Sequence, residues 1–237
     1  MHKGKFLWSV VRVGCTVALV LTVAAAWTAC SYAYRATSKE RLPHAEDTPQ
    51  PVQRLGPPEV QFEQHTCGLH ALALIYRAHG LDPERERLRE RLGVDVPAIE
   101  GEPGTTGTLH PDLLRVLRQD HFDARCLDLE RKDAAPALQS FVSAGHPALI
   151  LIALPDSEVL HWVAAGNADE AGRLRIYNSL VREPYDVELD EYLARQALSV
   201  VTIAADANVQ FVSAKATYSE GLAEMWRVWR RLKARAQ

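Results

Sequence analysis

The sequence predicts an α+β domain in which helices come first and a largely antiparallel sheet follows. The first half of the domain has apolar residues at helical spacing, and the second half has short apolar or alternating runs separated by turn residues. A separate apolar segment free of charge precedes them. Helices followed by strands are typical of an α+β arrangement rather than of a parallel α/β sheet.

Residues 1–33 are predicted to be a signal peptide or a membrane anchor. Their basic residues are Lys3, Lys5 and Arg12. Residues 13–34 carry no charge and are long enough to span a bilayer. Because a basic flank stays in the cytoplasm, the rest of the chain is expected on the extracytoplasmic, periplasmic side, either membrane-anchored or secreted. An uncleaved anchor, a cleaved signal peptide and lipidation at Cys30 are the alternatives.

The composition excludes several classes of function. The chain is 47% hydrophobic and 24% charged with a net charge of -3, so no general attraction to nucleic acid is expected. It has no zinc-type cysteine pairs, phosphate-binding glycine loop or dinucleotide fingerprint, so we expect no metal and no organic cofactor. Beyond residue 33 the cysteines are Cys67 and Cys126, which either form a disulfide or stay as thiols.

Residues 34–58 are predicted to form a Pro-rich tether, because they hold five of the thirteen prolines. The globular domain is expected over residues 59–206. Its helices are predicted at residues 67–80, 82–93, 110–121 and 133–145. The second helix is expected to be capped by Asp82, with Pro83 at its first position, and the third has Pro111 at its start.

The strands follow as apolar or alternating runs. They are predicted at residues 124–129, 147–154, 159–166, 173–178 and 198–205. Residues 207–237 are predicted to contain a C-terminal amphipathic basic helix. Its apolar side is expected to consist of Leu222, Met225, Trp226, Trp229 and Leu232. This helix either docks on the domain or binds an anionic membrane surface or a partner.

Cys67 is the candidate nucleophile. It opens the first predicted helix, where unpaired N–H groups and a partial positive charge stabilise a thiolate. We therefore expect a lowered thiol pKa and a nucleophilic sulfur near neutral pH. Gly68 is expected to let a substrate approach the backbone closely. The alternative interpretation of Cys67 is an unreactive buried cysteine, which is the commoner case at a helix start.

His161 is the candidate base, and Asn178 is the candidate residue that orients it. His161 lies in an apolar predicted strand, where a histidine is costly to bury. If this strand and the next form a hairpin, Asn178 at the end of the second lies beside the start of the first. Its amide oxygen would then hold the imidazole in the tautomer that a Cys-His-Asn triad requires. The alternatives are a satisfied core histidine and an ordinary turn residue.

Gln61 is the candidate for the oxyanion hole. Its side-chain amide N–H, together with the backbone N–H of Cys67, would bind the oxygen of a tetrahedral intermediate. Gln64 is the competing residue. Asp186 and Asp190 are alternative residues for orienting the histidine.

This order of Gln, Cys-Gly-helix, His on a strand and Asn on the next strand resembles the papain-like cysteine peptidases. Within them it is similar to the bacteriocin-processing, or double-glycine leader, peptidase family. The similar stretches are "QFEQHTCGLHALALIYRAHG", "GTTGTLHPDLLRVLRQDHFDARCLDL", "ALQSFVSAGHPALILIAL" and "LHWVAAGNADEAGRLRIYNSL". They cover most of residues 59–180. The family's glutamine, cysteine, histidine and third residue fall on Gln61, Cys67, His161 and Asn178.

Two departures from the family pattern are visible. Thr66 stands where the family often has Asp, and Asn178-Ser179 stands where it usually has Asp-Pro. Family members are often the front end of a peptide exporter with a membrane domain and an ATPase, and this sequence shows neither.

The resemblance implies a papain-like fold and a cysteine endopeptidase that acts on peptide, leader-peptide or protein substrates. The expected partners are that substrate and a membrane, and no nucleic acid. Two other functions stay open. One is a peptidase-like module that binds a peptide without cutting it, and the other is an acyltransferase or amidase that uses the same cysteine and histidine.

Overall fold

The structure is a computed structural model that describes residues 55–94, 107–154, 159–169, 171, 173–205 and 212–235. All the described residues belong to one compact unit, Arg41–Gln237. The predicted signal or anchor segment and most of the predicted tether lie outside the described residues. Within the described part, no helix is both long and apolar enough to cross a bilayer.

The centre of the described unit is a six-stranded sheet in which every neighbouring pair is antiparallel. Its strands are β1 (Phe122–Cys126), β2 (Ala148–Ala153), β3 (Leu160–Ala168), β4 (Arg173–Tyr177), β5 (Tyr185–Glu188) and β6 (Ala197–Ala205). The spatial order is β1-β6-β2-β3-β4-β5. The predicted antiparallel sheet and the predicted α+β class are therefore confirmed.

Six helices lie among the described residues. They are α1 (Cys67–Ala78), α2 (Arg85–Leu92), α3 (His110–Gln119), α4 (Ala134–Ser143), α5 (Leu189–Arg195) and α6 (Ala214–Arg235). Gly80, Gly93 and Gly145 take positive φ just beyond the ends of α1, α2 and α4. A positive φ is favourable for glycine, which explains why these helices stop there.

The sheet carries a separate core on each face, because successive side chains of a strand point to opposite sides. Leu149 and Leu151 of β2 belong to a core that is completed by α1, α2, α3 and α6. Ile150 and Ile152 of the same strand belong to a second core, completed by α4 and α5. The apolar run of β2 is thus explained by burial on both faces.

Three local predictions were wrong. Helix α2 begins at Arg85, because Glu84 is extended at φ -58° and ψ 115°, so Asp82 does not cap it and Pro83 lies before it. Strand β1 lies two to three residues earlier than predicted. The elements β5 and α5 were not predicted, since β5 is largely exposed and has no run of apolar residues.

Helix α6 docks on the domain, and of the predicted apolar side Leu232 packs against the core, whereas Leu222, Trp226 and Trp229 do not. Gly221 faces α3 so closely that a Cβ added to it would lie 2.6 Å from the Pro111 Cα. The buried Glu224 is paired with Arg227 at 2.6 Å and with Arg231 at 3.2 Å. Leu222, Trp226 and Trp229 are consequently left exposed, Trp226 at 58%. A small residue and a compensated charge, rather than the largest apolar side chains, define the docking face.

Candidate active site

The antiparallel pair β3–β4 brings His161 and Asn178 together. Ala164 of β3 pairs with Tyr177 of β4, so the residue after β4 returns to the start of β3. The His161 Nε2 lies 2.8 Å from the Asn178 Oδ1, and both side chains are buried. The predicted proximity of these two residues is confirmed as a direct hydrogen bond.

A turn after β4 fixes which atom of Asn178 faces the ring. The backbone N–H of Leu180 donates to the Asn178 Oδ1 at 2.9 Å, and the N–H of Val181 donates to the Asn178 carbonyl at 3.1 Å. Because an N–H group can only donate, the amide atom that it meets is the oxygen. The imidazole Nε2 therefore carries the hydrogen, and Nδ1 carries the lone pair. Asn178 is both a turn residue and a partner of the histidine.

Cys67 is the first residue of α1, and its sulfur lies against the backbone of β3. The backbone N–H of Trp162, the residue after His161, lies close enough to this sulfur to lower its pKa, as do the N–H groups of Gly68 and Cys67. Only 7% of Cys67 is exposed. Among the described contacts, none is a hydrogen bond between the sulfur and the His161 ring. Cys67 thus lies beside Trp162, the neighbour of His161 on β3, but its sulfur is not hydrogen-bonded to the His161 ring.

The predicted lowering of the Cys67 pKa was wrong. Burial raises the pKa of the thiol above its ordinary value, and the N–H groups of Trp162, Gly68 and Cys67 only partly oppose this. Burial also lowers the pKa of His161, against the opposing hydrogen bond to Asn178. Both shifts favour the uncharged forms. The resting pair is therefore a thiol and a neutral imidazole rather than an ion pair.

Gln61 is tied to the residue that follows Asn178. Its backbone N–H donates to the Ser179 carbonyl at 2.9 Å, and the Ser179 hydroxyl donates to the Gln61 Oε1 at 2.7 Å. This leaves the amide NH₂ group as the end of the side chain able to donate to a ligand. One turn, residues 178–181, thus holds the candidate oxyanion residue as well as the partner of the histidine.

The expectation that Gly68 leaves room for a substrate was wrong. A Cβ placed on Gly68 would lie 2.5 Å from the Cβ of Thr108, so the side chain of Thr108 already fills that space. The Thr108 carbonyl accepts the indole N–H of Trp162 at 2.9 Å. Sequence reasoning missed Thr108, Trp162 and Ser179. Trp162 follows His161 and Ser179 follows Asn178, so their positions in the sequence were a signal for both. Nothing in the sequence pointed to Thr108.

The alternative residues are placed differently. Asp186 on β5 forms a two-point ion pair with Arg175 of β4, at 2.7 and 2.9 Å. Asp190 lies in the first turn of α5. Asn178 already occupies the Nε2 of His161, so neither aspartate is needed to orient the ring. Gln64 is exposed, whereas Gln61 is held by Ser179.

A groove of about 590 Å³ opens beside the segment between Gln61 and Cys67. Its lining includes Glu59, Phe62, Glu63, Thr66, Leu69 and Arg85. Phe62 is 94% exposed, which is unusual for a phenylalanine in a soluble domain. The groove opens on the side of α1 that carries Thr66 and Leu69, and its lining does not include Cys67, His161, Asn178 or Gln61.

Cys67 and Cys126 are both free thiols, so the disulfide alternative does not hold for the folded domain. Among the described residues, no three His, Cys, Asp or Glu side chains come together in a way that would hold a metal ion. The candidate site brings together one thiol, one imidazole and two side-chain amides.

No family model and no curated protein matches the chain. Two solved structures are similar to it in part. The peptidase domain of Streptococcus ComA, a bifunctional ABC transporter involved in a quorum-sensing pathway, has 13% identity and a TM-score of 0.48, covering 63% of this chain and 98% of that one. A double-glycine-motif protease from an AMS/PCAT transporter, in complex with the leader peptide, has 17% identity and a TM-score of 0.45, covering 66% and 99%. A likeness at this level does not establish a family for this chain.

Proposed function

We propose that the protein is a papain-like cysteine endopeptidase that cleaves peptide or leader-peptide substrates. The single observation that carries this proposal is that Asn178 and Cys67 lie beside two adjacent residues of β3, His161 and Trp162. His161 is held by Asn178 through a hydrogen bond of 2.8 Å, and the sulfur of Cys67 lies beside the backbone N–H of the next residue, Trp162. A nucleophile, a base and an orienting acceptor in this order are the parts of a nucleophilic triad.

In the proposed reaction, the Cys67 sulfur attacks the scissile carbonyl carbon while its proton passes to the His161 Nδ1. The resulting imidazolium donates that proton to the leaving amine as the C–N bond breaks, which leaves a thioester on Cys67. Water then attacks the thioester, again with His161 as the base, and the acid product and the free thiol are released. Because the resting pair is uncharged, His161 acts here as a general base rather than as one half of an ion pair.

The carbonyl oxygen of the substrate gains negative charge in the tetrahedral intermediate. The NH₂ group of Gln61 and the backbone N–H of Cys67 are the donors proposed to bind it. The contact from Ser179 to the Gln61 Oε1 supports this role, since it leaves the donor end of the amide available. We propose that part of the substrate lies in the groove beside Phe62 and that the peptide continues from there to Cys67, which lies outside the groove lining.

The test is cleavage of a mixed peptide library by the purified full chain, with new termini identified by mass spectrometry. We expect Cys67→Ala to lower the cleavage rate by about a thousandfold or more, as removal of a nucleophile does in related chemistry. Cys126→Ala is the matched control, because this second thiol is also free but lies on β1, and it is expected to cleave like the wild type. Cleavage that is unchanged in Cys67→Ala would contradict the proposal.

One observation favours a second candidate, a module that binds peptides without cutting them. The thiol of Cys67 is buried with a raised pKa and is not hydrogen-bonded to the described His161 ring, as an inactive site would also be. For such a module, a peptide would bind equally to the wild type and to Cys67→Ala, and no thioester would form. A peptidase gives an acyl adduct on Cys67 that is seen by mass after rapid acid quench. Small acyl donors in the same assay detect an acyltransferase or amidase.

A further inference from the structure

Thr108 lies between the two elements that carry the candidate nucleophile and base. On one side its side chain packs against Gly68 of α1 so closely that any residue with a Cβ would overlap it. On the other side its carbonyl accepts the indole N–H of Trp162 on β3 at 2.9 Å. Thr108 is 5% exposed, so both contacts are sealed from solvent. A single residue therefore joins the start of α1 to the strand position next to His161.

The contacts of Trp162 extend this connection to the sulfur. Its backbone N–H lies beside the Cys67 sulfur, and its indole N–H donates to the Thr108 carbonyl. The ring of Trp162 also packs on His110 at a centroid distance of 4.9 Å, which limits its movement on the other face. The distance between Cys67 and β3 thus depends on the packing of Thr108 against Gly68 and on its bond to Trp162.

The hydroxyl of Thr108 is an exception to the usual pairing of buried polar atoms. Among the described residues it is buried and has no hydrogen-bond partner. Valine has nearly the same shape without a hydroxyl and would remove the free-energy cost of burying a hydroxyl that has no hydrogen-bond partner. This difference allows the packing of the side chain to be separated from its hydroxyl chemistry by experiment.

We infer that Thr108 is a positioning residue that holds Cys67 against β3, beside His161, through the shape of its side chain and its backbone carbonyl. The inference rests on the proposed role of Cys67 as the nucleophile. In the reaction, a change of about 1 Å in the placement of a reacting group costs about a hundredfold in rate. Loosening the contact is therefore expected to lower kcat and to leave KM nearly unchanged.

The first measurement is peptide cleavage by full-chain variants of Thr108. We expect Thr108→Ala, which opens a gap beside Gly68, to lower kcat by about ten- to a hundredfold with KM within about twofold. Thr108→Val keeps the shape, so its kcat is expected to stay within about twofold while its Tm rises. Equal losses in the valine and alanine variants, or a loss carried by KM alone, would overturn the inference.

The second measurement does not depend on peptide cleavage. Amide hydrogen exchange, followed by NMR, reports on the Trp162 backbone N–H that lies beside the Cys67 sulfur. We expect Thr108→Ala and Cys67→Ala each to speed this exchange by about tenfold, and the double variant to be no faster than either alone. Thr217→Val is the matched control, because Thr217 is also a buried threonine but lies on α6 beside Arg118. Its effect on the Trp162 amide is expected to be nil.

The two measurements separate two kinds of failure. If the wild type cleaves no peptide, the proposed function is wrong, and the exchange of the Trp162 amide still decides the positioning role. If cleavage depends on Cys67 but Thr108→Ala leaves both kcat and the exchange unchanged, the positioning role is wrong and the proposed function stands.

Discussion

Two of the three buried histidines among the described residues, His161 and His110, lie in similar surroundings but have different partners. His161 and His110 are both almost fully buried, each within hydrogen-bond distance of a small polar side chain, and burial lowers the pKa of both. His161 contacts Asn178 at 2.8 Å, and His110 contacts Ser199 at 3.0 Å. Burial and a lowered pKa therefore do not distinguish a catalytic histidine from a structural one.

The partners distinguish the two. Asn178 offers an oxygen whose identity is fixed by the Leu180 N–H, so the tautomer of His161 is set. Ser199 is completely buried and its hydroxyl can donate or accept, so it sets no tautomer and reaches no substrate. His161 also precedes Trp162, whose backbone N–H lies beside the Cys67 sulfur. A base needs an oriented ring, and the fixed partner of His161 supplies this orientation whereas the partner of His110 does not.

The largest expected effect separates the two histidines directly. His161→Ala should lower kcat/KM for peptide cleavage by at least about a hundredfold, because it removes the base proposed to take the thiol proton. His110→Ala should act mainly on the free energy of unfolding, because it removes a packed ring and leaves the Ser199 hydroxyl unpaired. Steady-state kinetics and chemical denaturation of both variants provide the measurement, and each variant is the control for the other. Loss of activity in folded His110→Ala alone would reverse the assignment.

A smaller effect is expected when the orienting residue is changed. Asn178→Ala should lower kcat by about ten- to a hundredfold, because the ring keeps its place in β3 but loses its fixed tautomer.

The pH dependence of the wild type tests the same contact. The acid limb of its pH profile, where kcat/KM falls as His161 is protonated, should lie below pH 6.5, since the pKa of His161 is lowered. In Asn178→Asp the added carboxylate should raise that pKa and move the limb to higher pH. A limb that does not move would show that another group controls the acid side.

The β3–β4 part of the site was predictable because its cause is local. Two apolar runs separated by turn residues form a hairpin, and the hairpin alone places Asn178 beside His161. The helix that starts at Cys67 was predictable for the same reason, from apolar spacing and the glycine that ends it. Local pattern thus gave the identity of the candidate residues and their contact.

What the sequence did not predict depends on burial and on distant contacts. The direction of the Cys67 pKa shift was wrong because desolvation by the surrounding core outweighs the helix start, and sequence spacing does not report desolvation. The space beside Gly68 is filled by Thr108, forty residues further on. The exposed tryptophans of α6 follow from the close approach of Gly221 to α3, which hydrophobic spacing cannot show.

The pH dependence of stability is the next test of the comparison. The pKa of His110 is lowered to about 4, so in the folded state the ring stays neutral where an unfolded chain would bind a proton. Stability is therefore lost as the pH falls from about 6.5 to about 4, by about 3 kcal/mol in total, and it changes no further from this group below pH 4. His110→Gln keeps a hydrogen-bonding partner for Ser199 and should show a shallower decline over the same range. The free energy of unfolding is measured by urea denaturation at several pH values in this range. An equal decline with pH in the wild type and in His110→Gln would contradict a buried, uncharged His110.

The smallest expected effect concerns Asp186, which pairs with Arg175 of β4 and has no proposed role in the candidate active site. Asp186 and Arg175 form a partly exposed ion pair on the β4–β5 edge, and such pairs contribute about 0–1 kcal/mol to stability. Asp186→Asn should therefore change the free energy of unfolding by less than about 1 kcal/mol and leave peptide cleavage within about twofold of the wild type. The pKa of Asp186 is lowered by Arg175, so the stability it contributes is present above the ordinary carboxyl pKa and is lost in acid. A tenfold loss of activity would instead mean that Asp186, and not Asn178, orients the histidine, and that the contact in β3–β4 is structural.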